Sequence, residues 1–180
     1  TFKPFTALAG LIAGLLDPLS QVVCHGRHTL GRRVFRCTHT HGPVDLHQSI
    51  VESCNVYFYN LAETVTMDRI AQVAMDYGLG RRTGIGINSE AAGFVPTRAW
   101  YAQRFPGQFR IGNTLNTSIG QGSVRVSVLQ LALAYAALAN GGDLYVPQLI
   151  ERVQGPDGST VQSFPPALRR HVNVSPANLA

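Results

Sequence analysis

Apolar residues recur at Phe2, Phe5, Leu8, Leu11, Ile12, Leu15 and Leu16. The spacing is helical and the stripe so wide that it predicts a buried helix over residues 1–16. Pro4 is compatible only with the first turn, which puts the start at or just before Thr1, and Asp17-Pro18 marks the stop. Residues 19–45 break the pattern: short apolar groups alternate with Gly and Arg, and histidines gather at His25, His28, His39 and His41, with His47 close by. That composition predicts an irregular excursion with one hairpin near Leu30-Gly31. Helical periodicity resumes at Leu46, Ile50, Val51 and Cys54, with Asp45 placed to cap it. The chain stays apolar and aromatic from Asn55 to Leu61, and a further helix over 68–77 ends at Gly78.

Residues 78–96 read as loop. Ser118-Ile119-Gly120-Gln121-Gly122 reads as a tight turn, after which Ser127 caps an apolar helix from Val128 to Ala139. Tyr145–Val153 and Thr160–Phe164 read as two strands joined at Pro156-Asp157-Gly158. Helices and antiparallel strands with no linker between them predict an α+β chain in one domain.

The 180 residues are 45% hydrophobic, enough for a core and too apolar for disorder. No span of a membrane is predicted, because the longest apolar run, Ala7 to Leu16, is about half of the roughly 20 residues required. The net charge of +5 comes from arginines spread along the chain, with Lys3 the sole lysine. Nucleic-acid binding, which favours clustered basic residues interleaved with aromatics, is not indicated.

That lone lysine matters. In serine acyl-transfer enzymes that lack a catalytic histidine, a serine at a helix N-terminus and a lysine one turn later share a face, and the neutral amine can take the hydroxyl proton. Ser53-Cys54-Asn55 is a second candidate: its serine could pass a proton to a leaving amine, and its asparagine could hold a substrate amide. Alone, the triplet is a weak signal, and a plain helix cap would explain it equally.

Taken together and in order, the segments resemble the class B penicillin-binding transpeptidases. Thr1-Phe2-Lys3-Pro4-Phe5 is similar to the tail of their Ser-x-x-Lys motif, and Glu52-Ser53-Cys54-Asn55-Val56-Tyr57-Phe58-Tyr59 to their Ser-x-Asn segment. Tyr77-Gly78-Leu79-Gly80, Thr83-Gly84-Ile85 and Glu90-Ala91-Ala92-Gly93 fit the stretch that follows, and Ser118 to Gly122 with Ser127 to Ala132 fits the family's Gly-Gln-Gly signature and next helix. His41-Gly42-Pro43-Val44-Asp45-Leu46 points to the penicillin-binding protein 2 group, which serves rod-shape elongation.

The resemblance implies the penicillin-binding protein and serine β-lactamase-like transpeptidase fold, a helical subdomain plus antiparallel sheet. It also implies a D,D-transpeptidase that cross-links peptidoglycan stem peptides through an acyl-serine and binds β-lactams. Lys3 would be the base, with Ser53 and Asn55 in relay and amide binding. The nucleophilic serine would fall one place before Thr1 and the Lys-Thr-Gly strand after Ala180, so residues 1–180 are expected to be part of a single, incomplete transpeptidase domain that does not acylate by itself. Implied too are a site of action at the periplasmic face of the bacterial inner membrane, and glycosyltransferase and elongation-complex membrane proteins as partners. A non-catalytic β-lactam sensor or scaffold of the same fold is the alternative.

Cys24, Cys37 and Cys54, with His41 between the last two, offer three thiolates and one imidazole, a set that zinc accepts as a closed tetrahedral site. The intervening residues build little core and would profit from a staple. Some members of the penicillin-binding protein 2 group carry a metal at the matching place. A Cys24–Cys37 disulfide with Cys54 as a small buried hydrophobe, or free thiols throughout, are the rival readings, and His39 could replace His41. His25, His28 and His47 read as surface residues.

Overall fold

In the computed structural model, which describes residues 1–179, helices pack around one main core and the strands form separate two-stranded antiparallel ladders. The class is α+β, as the pattern predicts. Helix α1 (Lys3–Ile12) begins at Lys3 with Pro4 in its first turn, and buries Phe5, Ala7, Leu8 and Ala9. It stops earlier than Asp17-Pro18. Gly14 adopts φ +64°, and the Leu15 N–H turns back to the Gly10 carbonyl. A flexible residue that tolerates the left-handed region thus ends the helix before proline does.

The 19–45 excursion is more regular than its composition suggests. Strand β1 (Val22–Cys24) pairs with β4 (Gly42–Val44), and between them β2 (Arg27–Leu30) and β3 (Arg33–Arg36) form the expected hairpin about Gly31 and Arg32. Asp45 caps the short helix α2 (Leu46–Val51) through a capping box with Gln48. The predicted inner face is corrected: Ser49 is the buried residue of α2, while Ile50 and Val51 are exposed. Six residues are too few to carry the helical phase as far as Cys54, and the chain leaves α2 at Ser53, a non-glycine residue with φ +53°. Helix α3 (Asn55–Thr64) then restarts with Cys54 as its N-cap and buries Val56, Tyr57, Phe58 and Tyr59. Helix α4 (Met67–Asp76) is capped by Thr66 and ends at Gly78, as predicted.

Two helices escape the hydrophobic pattern, α5 (Arg98–Arg104) and α6 (Ile111–Ser118). Both are short and polar, too brief for a period to show. Helix α7 (Val128–Ala139) is capped by Ser127, as expected. The single strand expected over 145–153 is instead two. Strand β5 (Asp143–Tyr145) pairs with β8 (Leu168–His171), and β6 (Arg152–Gln154) forms a hairpin with β7 (Thr160–Ser163). Pro147, with no N–H to donate, lies in the gap between β5 and β6. A 3₁₀ turn at Pro176–Asn178 follows β8. Phe5 lies at the centre of the core, with ring centroids 5.6 Å from Tyr77 and 5.8 Å from Tyr135 of α7.

Candidate active site and metal centre

Lys3 is 7% exposed at the start of α1. Its Nζ donates to the Ser53 Oγ at 2.8 Å and to the Ser53 carbonyl at 2.5 Å, and sits 5.7 Å from the Phe58 ring centroid. Two residues fifty positions apart are thereby joined, each by a local cause. Pro4 and the buried face of α1 set the lysine's direction, while the left-handed turn at Ser53 brings both of its oxygens to the ammonium. A non-glycine residue in that region costs on the order of 1 kcal/mol, held here by the surrounding packing. Burial lowers the lysine's pKa from its ordinary 10.5, with Cys37 and Cys54 as smaller opposing electrostatic influences. An amine with a lowered pKa beside a hydroxyl is suited to taking and returning a proton.

Asn55 is not hydrogen-bonded to either of them. Its Nδ2 donates to the Arg36 carbonyl at 3.4 Å, and the same carbonyl accepts from the Tyr59 Oη at 3.4 Å. The end of β3 therefore rests on the first turn of α3. Ser53, Cys54 and Asn55 straddle the α2/α3 junction instead of sharing one helix, and a loop, a cap and a helix start turn their side chains apart.

The turn at residues 118–122 seats the start of α1. Thr6 donates to the Ser118 carbonyl at 2.7 Å, and the Ser118 Oγ donates to the Leu115 carbonyl at 2.7 Å and reaches the Phe58 carbonyl at 3.2 Å. Gly120 has φ +75°, and a Cβ there would lie 2.5 Å from the Cβ of Phe2. Gly120→Ala is expected to destabilise the fold by about 2–4 kcal/mol, against about 1 kcal/mol for Gly31→Ala, which has a similar φ but open space around it. Urea unfolding midpoints of the two variants give the comparison, and equal shifts would contradict it.

Gln130 has a role that the chain pattern does not announce beyond its capping position. Buried, it accepts from the Gly80 N–H at 3.2 Å and donates to the carbonyls of Arg81 at 2.8 Å and Ala92 at 3.0 Å, holding the 80–92 loop on α7. A polar side chain three residues after a serine cap is the only advance signal for it.

The four predicted metal donors converge. One ligand atom each from Cys24, Cys37, His41 and Cys54 lies within 4.8 Å of all the others. The His41 Nδ1 is 3.4 Å from the Cys24 Sγ and 3.6 Å from the Cys37 Sγ, and the Cys37 and Cys54 sulfurs are 3.9 Å apart. A tetrahedron with metal–sulfur bonds of about 2.3 Å has sulfur–sulfur edges of roughly 3.8 Å. Among the described residues no disulfide links the three cysteines. His39 contributes its carbonyl, 3.6 Å from the Cys24 Sγ, while the ring that joins the cluster is that of His41. Burial disfavours ionisation of Cys37, but backbone N–H groups of Val56, Asn55 and His39 and the Cys24 thiol outweigh it and bring its pKa down to about 6. At Cys54 burial dominates, reinforced by Cys24 and Cys37 and opposed by the Tyr57 N–H, and pushes the thiol up to about 12.

Residues 1–179 match the family described as the penicillin binding protein transpeptidase domain. Among curated relatives, the peptidoglycan D,D-transpeptidase MrdA of Acinetobacter baumannii is 34% identical over 92% of the chain, which spans a quarter (25%) of that relative's length. Among solved structures, Pseudomonas aeruginosa PBP2 in complex with WCK 5153 superposes with TM-score 0.84 at 32% identity, over 99% of this chain and 39% of that one. A complex between PBP2 and MreC from Helicobacter pylori gives TM-score 0.78 at 26% identity over 92% of this chain and 30% of that one. With the ordered motifs, the fold and residues 1–179 all in agreement, the chain belongs to the penicillin binding protein transpeptidase domain family.

Proposed function

We infer that this chain supplies the base, proton relay and substrate-amide group of a peptidoglycan D,D-transpeptidase that serves cell-wall elongation and cell shape and is acylated by β-lactams. The observation that carries the reading is the buried Lys3 ammonium 2.8 Å from the Ser53 Oγ, within a chain of that family.

Lys3 in its neutral form takes the proton of the nucleophilic serine, which the motif places one residue ahead of Thr1. The serine oxygen forms an ester to the stem-peptide carbonyl as the carbon–nitrogen bond breaks. Lys3 returns a proton through Ser53 to the departing amine, so charge and protons balance. A β-lactam undergoes the same bond exchange, but its amine stays tethered to the acyl group. Asn55, whose 3.4 Å bond to Arg36 is long, exchanges that partner for a substrate carbonyl.

The four-donor cluster fits zinc in its chemistry and in its edge lengths. Cys24 at the end of β1, Cys37 after β3, His41 before β4 and Cys54 at the cap of α3 would hold the ion and tie the excursion to Ser53 and Asn55. Zinc bound there would supply a local dication that keeps the thiolates of Cys24, Cys37 and Cys54 deprotonated even where burial opposes it, in a structural role.

The place of action is the periplasmic face of the bacterial inner membrane, beside a glycosyltransferase and elongation-complex membrane proteins. That PBP2 of Helicobacter pylori forms a complex with MreC supports a partner protein at that place, and the glycosyltransferase rests on the family resemblance alone. No helix among the described residues is long and apolar enough to cross a membrane.

Incubation of a protein of the relatives' full length, carrying this chain, with fluorescent penicillin is expected to give one labelled species. Its modified peptide should contain the serine directly ahead of Thr1. Labelling elsewhere, or none, would overturn the reading.

A further inference from the structure

The three cysteines of the cluster differ in what can reach them. Cys24 and Cys54 are fully buried, whereas Cys37 is half-buried and flanked by the exposed Arg36 and Thr38. The turn that follows it, Thr38 to Thr40, is exposed, and a cleft of about 390 Å³ lined by His39, His41, Gln48 and Glu52 opens beside it. A small neutral solute therefore meets one sulfur of the three first.

The sulfurs also differ in their neighbours. Cys24 is turned to the His41 Nδ1 at 3.4 Å and the His39 carbonyl at 3.6 Å, while Cys37 faces the Cys54 sulfur at 3.9 Å. The Asn55 N–H, in the first turn of α3, donates to the Cys37 Sγ at 3.1 Å. Partial exposure, a backbone donor and a second sulfur within reach together distinguish an oxidisable cysteine from an inert buried one. A place of action outside the reducing cytosol, as proposed above, puts such a pair in contact with oxidants.

We propose that Cys37 is a peroxide-sensitive modification site and that Cys54 resolves it as a disulfide. The Cys37 thiolate attacks one oxygen of hydrogen peroxide. The S–O bond forms, the O–O bond breaks, and the hydroxide released takes a proton from solvent. The Cys54 thiolate then attacks the Cys37 sulfur. The S–S bond forms, the S–O bond breaks, and a second hydroxide leaves and is protonated. Each sulfur gives up one electron, the peroxide gains two, and two waters result. Cys24 and His41 alone are too few donors to retain a zinc ion, so oxidation and metal release go together.

The bridge would act on the candidate active site. A disulfide holds its sulfurs about 2.05 Å apart, so the end of β3 and the cap of α3 must close on each other. Cys54 lies between Asn55 and Ser53, the hydrogen-bond partner of Lys3, and the closure turns both. That consequence for acyl transfer rests on the transpeptidase reading; the modification itself does not.

The test exposes a protein of the relatives' full length, carrying this chain with its thiols reduced, to hydrogen peroxide. Dimedone, which traps sulfenic acids, is present in one arm, and the products are mapped by peptide mass spectrometry. Dimedone is expected on Cys37. Without it, a Cys37–Cys54 bridge two hydrogens lighter than the thiols should form, reversible by dithiothreitol, while a chromogenic chelator registers zinc leaving in step. Penicillin labelling of the oxidised protein should slow on the order of tenfold or more. Cys37→Asp, whose carboxylate can still ligate zinc, should keep its ion under the same peroxide. Because that variant could fold poorly, trapping on the unsubstituted chain decides. Dimedone on Cys24 or Cys54 in place of Cys37, a bridge that omits Cys37 or Cys54, or a bridged chain that keeps its ion would each overturn the proposal. Oxidised protein that labels at the reduced rate would overturn the link to Ser53. Reduced protein that takes penicillin while its thiols ignore peroxide sinks the modification site alone, whereas reduced protein that takes none sinks the transpeptidase reading.

Discussion

Lys3→Ala, introduced into a protein of the relatives' full length, is expected to slow β-lactam acylation on the order of a hundredfold or more while the fold survives. The amine has no local substitute. It is the sole lysine of the chain, and no histidine side chain is bonded to Ser53 among the described residues. Lys3→Arg should fail as well, because a guanidinium stays protonated and cannot act as a base. The pH dependence follows from burial. Since the neutral amine is the active form and its pKa lies below the ordinary 10.5, the labelling rate should rise with pH and level off before that value. The stability effect has the same sign. A lysine whose folded-state pKa is depressed binds its proton more readily when unfolded, so its burial costs stability at low pH and that cost shrinks as pH climbs through the depressed value. Rapid-mixing measurements with a fluorescent penicillin give the rates. A Lys3→Ala protein that labels at the parent rate would remove Lys3 from the mechanism.

The second large effect is expected at the cysteine cluster. Protein purified without chelator should carry one zinc ion by native mass spectrometry. Stripping the ion, or making Cys54→Ser, should lower Tm by roughly 10 °C or more, since loss of a structural metal is among the few changes worth several kcal/mol. Ser53 lies next to Cys54, so the loss should also reduce the acylation rate through the position of Ser53, while the reactive amine remains. Acidification should release the ion, because protons compete with it for thiolates and imidazole. A metal-free chain whose mass is two hydrogens light would mean a disulfide instead.

Much of the scaffold was readable from local chemistry. Asp45 and Ser127 as caps, Gly78 as a stop and the hairpin about Gly31 each follow from one residue's conformational preference. The failures share a cause. Helices α5 and α6 are too short and polar to show a period. The break at Ser53 requires a left-handed serine, which propensity alone would not select. The pairing of Lys3 with Ser53 was legible only through the order of the family's motifs, since fifty residues separate them and no spacing rule reaches that far. The candidate metal donors were legible as types. Their convergence was not, because spacing could not decide between a tetrahedral cluster and a disulfide.

The carbonyl of Arg36 carries one more consequence. It serves two donors at once, Asn55 and Tyr59, each at 3.4 Å. If an arriving peptide captures the asparagine amide as proposed, that acceptor still keeps the tyrosine hydroxyl. The hairpin then need not shift for Asn55 to let go, and entry and release can run as a partner exchange on a stationary frame.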